Sequence, residues 1–258
     1  MGGVYTVNLT VSDGSLTNMA SVEITISASP SPSPIFRDDF ETGDFSKWSE
    51  VVDAGEGQIV TNIKHGGSFG MRHGGQNGGA SVTAGDVLLN VTERDEYYAL
   101  QWWYFDPLYI LPPPGGGPHY LRLTGPSGSF QLDFVIPDAL SAIKLNCFPG
   151  NTGGNTVQKQ TSYNPITDAI GGGKGVWQKW VVRFRLNTPG NADGLVEFWV
   201  NDTFIDSMTG NFRGTSTDQI TRYLAVSNIG GNKILWPVNN WLYRDDIELW
   251  TTKPPGTP

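Results

Sequence analysis

The sequence predicts an all-β protein, a two-sheet antiparallel sandwich that follows an N-terminal β-hairpin arm and a Ser/Pro linker. Its 258 residues include 33 Gly and 17 Pro, and only 16% of them are charged. This composition disfavours long helices and favours short strands joined by tight turns. Alternating apolar and polar residues recur in many short runs, whereas no stretch has a convincing helical period. Many strands without helices are typical of a two-sheet antiparallel sandwich.

The first predicted element is the hairpin arm. Every second residue from Tyr5 to Val11 is apolar, and the alternation resumes at Val22 after a turn-rich break at Ser12–Ser15. The apolar side chains that would share one face are those of Tyr5, Val7, Leu9, Val11, Val22, Ile24 and Ile26. An isolated hairpin is marginal in water, so we expect something to cover this face. The alternatives are lost upstream strands, the main domain and a neighbouring subunit.

A Ser-Pro repeat, "ASPSPSP", separates the arm from the main domain. Its prolines favour an extended polyproline-II spacer, which is too stiff to fold back easily and favours a neighbouring subunit as the partner. Head-to-tail strand donation between like subunits would continue into a filament. The predicted organisation is an arm at residues 1–27, a linker at 28–34, a main domain at 35–251 and a Pro-rich tail at 252–258.

Three segments of the main domain carry a recognisable pattern. They are "DDFETGDFSKW" near its start, "GVWQKWVVRFRLNTPGNADGLVEFWVND" in its second half and "YRDDIELW" at its end. Together they resemble the concanavalin A-like jelly rolls, which include laminin-G-like domains, carbohydrate-binding modules and polysaccharide lyases. The resemblance implies a jelly-roll fold, but this fold hosts lectins, lyases, hydrolases and structural proteins. The arm resembles the last two strands of PKD-like and other immunoglobulin-like modules.

The charge of the chain excludes some partners. The net charge is −8, which argues against a nucleic acid or an anionic membrane, since both bind clustered Lys and Arg. It also argues against a strongly anionic polysaccharide as ligand. No apolar run approaches the roughly 20 residues needed to span a bilayer. Cys147 is the only cysteine, so the chain has no internal disulfide.

A calcium site is the first chemical hypothesis. In jelly rolls of this kind the opening and closing segments pair, which would bring Asp39 and Glu41 near Asp245 and Asp246. Clustered carboxylates are what a hard Ca²⁺ ion requires. The resemblance implies a structural calcium held by Glu41 and Asp246, which match the ligand positions of related carbohydrate-binding modules. The alternative is that these acids face solvent or pair with nearby arginines.

A second hypothesis is a polysaccharide lyase. Such an enzyme needs a proton-abstracting His or Tyr, a residue that neutralises the uronate carboxylate, and a groove that attracts polyanions. The candidates are Gln101, His119, Tyr120 and Arg122, with Tyr104 and His73 as further possibilities. None of them lies in a recognisable lyase motif. A retaining glycosidase is less favoured, because no strand carries a suitably spaced pair of carboxylates.

Glycan binding without catalysis needs only exposed rings that stack on sugars. Five tryptophans lie where this fold usually packs its core, namely Trp48, Trp177, Trp180, Trp199 and Trp250. The exposed candidates are therefore Trp103, Tyr109, Trp236 and Trp241. Sequons for N-glycosylation occur at Asn8, Asn90 and Asn201.

We interpret the sequence as an extracellular, non-enzymatic structural or adhesive subunit that self-associates through its arm. The first alternative is a glycan-binding module of a polysaccharide-degrading enzyme. The second is a lyase that acts on a uronic-acid polymer.

Overall fold

A computed structural model of the chain describes residues 3–26, 32–52, 57–73, 83–110, 119–135, 142–228 and 240–258. The chain divides into two compact units, residues 1–33 and residues 34–258. The smaller unit contains the arm and the larger unit contains the sandwich, and each is described by itself.

The arm is a two-stranded antiparallel sheet of β1 (Gly3–Ser12) and β2 (Thr17–Ile26). Val7 lies opposite Val22, so the apolar side chains of the two strands share one face, as the alternation predicts. These side chains are exposed, with Leu9 at 62%.

The turn of the arm is closed by Asp13. Its carboxylate accepts hydrogen bonds from the N–H groups of Leu16 and Ser15, each at 2.8 Å, and these bonds lower the pKa of Asp13. The side chain of Ile26, predicted as part of the apolar face, lies outside the described side chains. A pair of strands is not an immunoglobulin-like sandwich, so that resemblance is not confirmed.

The larger unit consists of strands joined by turns and loops. Its strands are β3 (Phe36–Asp38), β4 (Glu50–Val52), β5 (Gln58–Val60), β6 (Gly70–His73), β7 (Thr83–Arg94), β8 (Glu96–Phe105), β9 (His119–Thr124), β10 (Gln131–Val135), β11 (Lys144–Phe148), β12 (Val157–Gln160), β13 (Trp177–Arg185), β14 (Gly194–Val200), β15 (Thr203–Gly210), β16 (Ile220–Asn228) and β17 (Leu242–Trp250). Within the described ranges, one turn of 3-10 helix at Pro126–Gly128 is the only helical element. None of the described segments forms a helix long and apolar enough to cross a membrane.

These strands form two antiparallel sheets. The eight-stranded sheet has the order β15-β14-β13-β8-β17-β6-β5, with β3 also paired to β17. The seven-stranded sheet has the order β12-β11-β10-β9-β16-β7-β4. Strands distant in sequence are neighbours in both sheets, as β8 and β17 show. The predicted two-sheet antiparallel sandwich is confirmed.

An aromatic core fills the space between the two sheets. Trp103 and Trp180 of the eight-stranded sheet are buried, with ring centroids 5.3 Å apart. From the seven-stranded sheet, Phe134 reaches across to Phe198, with centroids 5.1 Å apart. Each large apolar side chain removed from water in this way stabilises the fold by about 1.5–3 kcal/mol.

Two aromatic residues predicted to be exposed are buried instead. Trp103 shares the inward face of β8 with Gln101 and Phe105, because alternate side chains of a strand point the same way. Tyr109 packs its ring on that of Phe105, with centroids 5.4 Å apart, and burial raises the pKa of Tyr109. The prediction that Trp103 and Tyr109 bind sugar is therefore wrong. Of the tryptophans predicted for the core, Trp48, Trp180, Trp199 and Trp250 are buried, and Trp177 is partly exposed.

Two phenylalanines test the packing of the sandwich. Phe134 is completely buried between Phe184 and Phe198, whereas Phe204 is 51% exposed. We expect Phe134→Ala to lower the free energy of unfolding by about 3–5 kcal/mol, because it leaves a cavity. The matched Phe204→Ala variant should lose less than about 1 kcal/mol. Urea denaturation followed by tryptophan fluorescence measures both, and equal losses would contradict the packing described here.

Candidate active site

One row of side chains crosses all seven strands of the seven-stranded sheet. Strand pairing aligns Gln158, Asn146, Asp133, Arg122, Leu224, Leu88 and Glu50, one from each strand. Leu132 and Phe134, the neighbours of Asp133 along β10, are completely buried in the core. Because side chains alternate along a strand, the row faces away from the other sheet. We call this surface the outer face of the seven-stranded sheet.

Three charged or titratable side chains meet at the centre of this face. The Nε of Arg122 donates to Oδ1 of Asp133 at 2.6 Å. The Nδ1 of His119 lies 3.3 Å from Nη2 of Arg122 and 3.4 Å from Oδ2 of Asp133. The side chain of Asp133 is completely buried, whereas 15% of the Arg122 and 13% of the His119 side chain remain exposed. The carboxylate therefore lies beneath two side chains that reach the surface.

A β-bulge in β9 makes this cluster possible. His119 lies opposite Val135 and Leu121 lies opposite Phe134, which leaves Tyr120 as an extra residue between the two pairs. Residues at positions 119 and 122 would face opposite sides of a regular strand. The extra residue puts His119 and Arg122 on the same side.

Three residues predicted for a lyase site, Tyr120, Gln101 and the further possibility His73, lie in the core instead. The bulge turns Tyr120 inward, where its ring centroid lies 5.0 Å from that of Trp103. Gln101 is completely buried, and its Nε2 donates to the hydroxyl of Tyr223. None of the three side chains reaches a surface, so the prediction that Tyr120, Gln101 and His73 act on a substrate is wrong. His119 and Arg122 are the predicted lyase residues that the structure brings together.

Asn146 adjoins the cluster on β11, the strand next to β10. It lies directly opposite Asp133 on β11 and is 6% exposed. Its Oδ1 has no hydrogen-bond partner among the described residues. A buried amide oxygen without a partner costs free energy, which a bound ligand carrying a donor would recover.

A second row runs beside the first on the same face. Strand pairing aligns Phe148, Gln131, Thr124, Arg222 and Asn90. Arg222 and Asn90 are exposed, and Gln131 is partly exposed. The second row therefore adds amide, hydroxyl and guanidinium groups that can bind the hydroxyls and carboxylates of a sugar chain.

The outer face carries more basic than acidic side chains. Its cations are Arg122, Lys144 and Arg222, and its described acids are Asp133 and Glu50. The chain as a whole has a net charge of −8. This local excess of positive charge favours a polyanion at a face of an otherwise acidic protein.

The lone cysteine is not a reactive group of this site. Cys147 points into the core from β11 and is completely buried. Burial, together with the charge of Asp133, raises the pKa of the Cys147 thiol to about 12. The thiol is therefore uncharged and structural at neutral pH.

Sequence reasoning missed Asp133, Asn146, Gln131 and Arg222. The alternation within "QLDFV" and "KLNCF" does indicate that Asp133 and Asn146 share a face with Gln131. What the alternation does not indicate is that β9, β10 and β11 are neighbours, because strand order is a long-range property.

Two further tryptophans, Trp241 and Trp236, are predicted to be exposed and to bind sugar. Trp241 is partly exposed, and the Arg72 guanidinium carbon lies 4.0 Å from the centre of its ring. Trp236 lies outside the described residues. Sugar binding by Trp241 stays a prediction.

The sequons are found on exposed residues. Asn90 lies in the second row, and Asn8 accepts a hydrogen bond from the hydroxyl of Ser21 at 2.6 Å. Asn201 closes a turn, since its Oδ1 accepts from the N–H of Lys179 and its Nδ2 donates to the carbonyl of Ile170. Glycosylation at these positions stays a prediction.

Two acids of the predicted calcium site have partners within the protein. Asp39 forms an ion pair with Lys47 at 3.1 Å. Oε1 of Glu41 accepts hydrogen bonds from the N–H groups of Ser68 and Phe69 at 2.7 and 2.9 Å. These contacts fold the loop before β6 onto the opening segment.

The other two acids also have partners. Oδ2 of Asp245 accepts from the N–H groups of His65 and Gly66, and burial raises the pKa of Asp245 to about 6. Asp246 contacts Arg37 at 3.0 Å and Nδ1 of His65 at 2.8 Å. Among the described residues, no group of three or more His, Cys, Asp or Glu is arranged to hold a metal ion. The acids do not form a ligand set here, and calcium stays a prediction from the resemblance.

No family model matches the chain, and no curated protein matches it. Solved structures do resemble it. An endo-β-1,4-glucuronan lyase from the fungus Trichoderma reesei superimposes with a TM-score of 0.60 and 13% identity, covering 85% of this chain and 96% of that one. An alginate lyase from Aplysia kurodai gives a TM-score of 0.62 and 12% identity, covering 85% of this chain and 100% of that one.

A third similar structure is the cellulose-induced protein Cip1. It gives a TM-score of 0.53 and 18% identity, covering 85% of this chain and 98% of that one. At these identities the likeness shows the fold alone. The predicted jelly-roll sandwich is confirmed.

The buried ion pair can be tested by mutation. We expect Arg122→Met to lower the free energy of unfolding by about 3–5 kcal/mol, because it leaves the buried carboxylate of Asp133 without its cation. Adding Asp133→Asn should recover most of this loss. Urea denaturation of both single variants and the double variant completes the cycle, and additive losses would contradict the pair.

Calcium is tested by thermal denaturation. From the resemblance we predict that CaCl₂ raises the Tm, that EDTA reverses the rise and that Glu41→Gln removes the response, since a ligand that binds only the native state stabilises it. An unchanged Tm in both solutions would contradict a calcium site.

Proposed function

We propose that this chain is a polysaccharide lyase that cleaves a uronic-acid polymer by β-elimination on the outer face of the seven-stranded sheet. The observation that carries the proposal is the cluster of His119, Arg122 and Asp133, with the unpartnered Asn146 beside it. The cluster combines a titratable imidazole, a guanidinium and an amide, which are the groups that this reaction requires.

In the proposed reaction His119 moves the proton. The proposal places a proton on Nδ1 of His119, 3.4 Å from Oδ2 of Asp133, which leaves the lone pair on Nε2. Nη2 of Arg122, 3.3 Å from Nδ1, can only donate, so in the proposal it turns to the uronate carboxylate when the substrate binds. Nε2 takes the proton from C5 of the uronate, and the electron pair of that bond forms the C4=C5 double bond. The C4–O bond breaks, and the leaving oxygen receives the proton from His119. The polymer is cut without the addition of water.

Arg122 would bind the uronate carboxylate, and Oδ1 of Asn146, which has no partner among the described residues, would accept a hydrogen bond from a sugar hydroxyl. Removing a proton from C5 places negative charge on this carboxylate in the transition state, so donors directed at it lower the barrier. Arg122 supplies these donors and a positive charge. Asp133 acts as a positioning residue, because it holds both Arg122 and His119.

Tyrosine has no role in this proposal. Lyases can use a His or a Tyr as the base. Five of the nine tyrosines are completely or almost completely buried, namely Tyr97, Tyr109, Tyr120, Tyr163 and Tyr223. Tyr98, Tyr104 and Tyr243 belong to the other sheet, and Tyr5 lies on the arm. His119 is therefore the preferred base.

Similar structures support the substrate class. The two lyases described above act on glucuronan and alginate, which are both uronic-acid polymers. The local excess of positive charge on the outer face suits such a polyanion. We therefore favour the lyase over the non-enzymatic fibre subunit that was the main interpretation of the sequence. The comparisons lend no support to self-association, and the extracellular location stays a prediction.

The activity is tested with polyglucuronate, polymannuronate and polyguluronate. The expected result is growth of the ultraviolet absorbance of an unsaturated uronate with at least one of them. His119→Ala should reduce the rate by about 10²–10⁴-fold, which is the usual contribution of a general base.

A matched control separates chemistry from folding. Arg122→Gln should lose activity when assayed under conditions in which its tryptophan fluorescence shows that it is folded, whereas Arg185→Gln, which changes an arginine on β13 of the other sheet, should keep it. Absence of the unsaturated product from all three polymers, or full activity in His119→Ala, would overturn the proposal.

A further inference from the structure

A row of aromatic side chains crosses the opposite side of the molecule. On the eight-stranded sheet, Trp177 of β13 lies opposite Tyr104 of β8, Tyr104 opposite Tyr243 of β17, and Tyr243 opposite Arg72 of β6. Four strands at the usual spacing span about 14 Å. Trp241 extends the row, since the guanidinium carbon of Arg72 lies 4.0 Å from its ring centre. We call Trp177, Tyr104, Tyr243 and Trp241 the aromatic row.

The aromatic row faces outward. Tyr104 alternates along β8 with Trp103 and Phe105, which are completely buried between the sheets. The ring centroids of Tyr104 and Trp177 lie 5.4 Å apart. Trp177, Tyr104 and Trp241 remain partly exposed, whereas Tyr243 is only 3% exposed. The row is a broad ring surface outside the core.

A stacked pair widens this surface. The ring of His65 lies almost parallel to that of Trp102, with centroids 3.8 Å apart and an interplanar angle of 18°. The same His65 ring lies edge-on to Trp177, with centroids 5.6 Å apart. A hydrogen bond from the imidazole to Asp246 holds His65 in place. The rings of His65 and Trp102 therefore extend the aromatic surface beyond Trp177.

Beside the aromatic row, Lys179 and His65 are paired with carboxylates, whereas Arg72 is bound to an amide. Nζ of Lys179 lies 2.5 Å from the carboxylate of Asp202, and Nδ1 of His65 lies 2.8 Å from that of Asp246. Nη2 of Arg72 donates to a side-chain amide on β5. A uronate would have to displace these partners, whereas an uncharged sugar would not. The charge distribution therefore favours a neutral ligand here and an anionic one on the other sheet.

We propose that the aromatic row is a second polysaccharide-binding site, which takes a neutral pyranose chain such as a β-glucan. The apolar C–H faces of the sugars stack on Trp177, Tyr104 and Trp241, as sugars do on aromatic surfaces in other binding sites. This site lies on the opposite sheet from the candidate active site, and the inference does not rest on the proposed lyase activity.

Cellohexaose and soluble β-glucan are the probes for this site. Titrations of the full chain, followed by tryptophan fluorescence, should show saturable binding. Trp177→Ala and Tyr104→Ala should each raise the Kd about tenfold or more, because each removes one stacking surface. Trp177→Phe should keep part of the affinity. Phe204→Ala, which removes an exposed ring of the same sheet outside the row, should leave the Kd unchanged.

Three results would overturn the proposal. They are no binding of either probe, unchanged binding in both alanine variants, and tighter binding of polyglucuronate than of β-glucan at the row. Unchanged thermal unfolding of Trp177→Ala excludes a folding defect, and Trp177→Phe serves the same purpose if the alanine variant unfolds. His119→Ala should bind β-glucan normally, so loss of lyase activity and loss of this site are distinguishable.

Discussion

The extra residue in β9 is the constraint on which the candidate active site depends. In a regular strand His119 and Arg122 would face opposite sides, because three positions separate them. The bulge turns Tyr120 into the core against Trp103 and leaves both polar residues on the outer face, where they meet Asp133. Packing in the core and chemistry at the surface are thus coupled through one backbone irregularity. Bulges commonly redirect side chains in this way beside active sites.

The two outer faces of the sandwich differ in their chemistry. On the seven-stranded sheet, Arg122, Lys144 and Arg222 give a local positive charge in an acidic protein. On the eight-stranded sheet, rings dominate, and cations such as Lys179 are held by neighbouring acids. One face suits an anionic polymer and the other a neutral one. A protein with both could hold a neutral polysaccharide while it cleaves a uronic-acid polymer in the same material.

Alternation and turn residues were enough to predict the strands, the hairpin arm and the sandwich, because these depend on local pattern. The same local reasoning failed where long-range packing decides the outcome. Tyr120 and Gln101 point inward and Trp103 is buried, since the bulge and the pairing of β8 with β13 and β17 are not visible in the sequence. Asp133 was missed because its partner is eleven positions away on another strand.

The measurement that tests the central claim most directly is mass spectrometry of the oligosaccharides formed when the full chain is incubated with polyglucuronate, polymannuronate or polyguluronate. Elimination on the outer face predicts fragments that carry an unsaturated uronate, with no water added per cut. The same fragments should be absent with His119→Ala. Fragments that have each gained one water, or all three polymers left intact under conditions in which the protein is folded, would contradict the account.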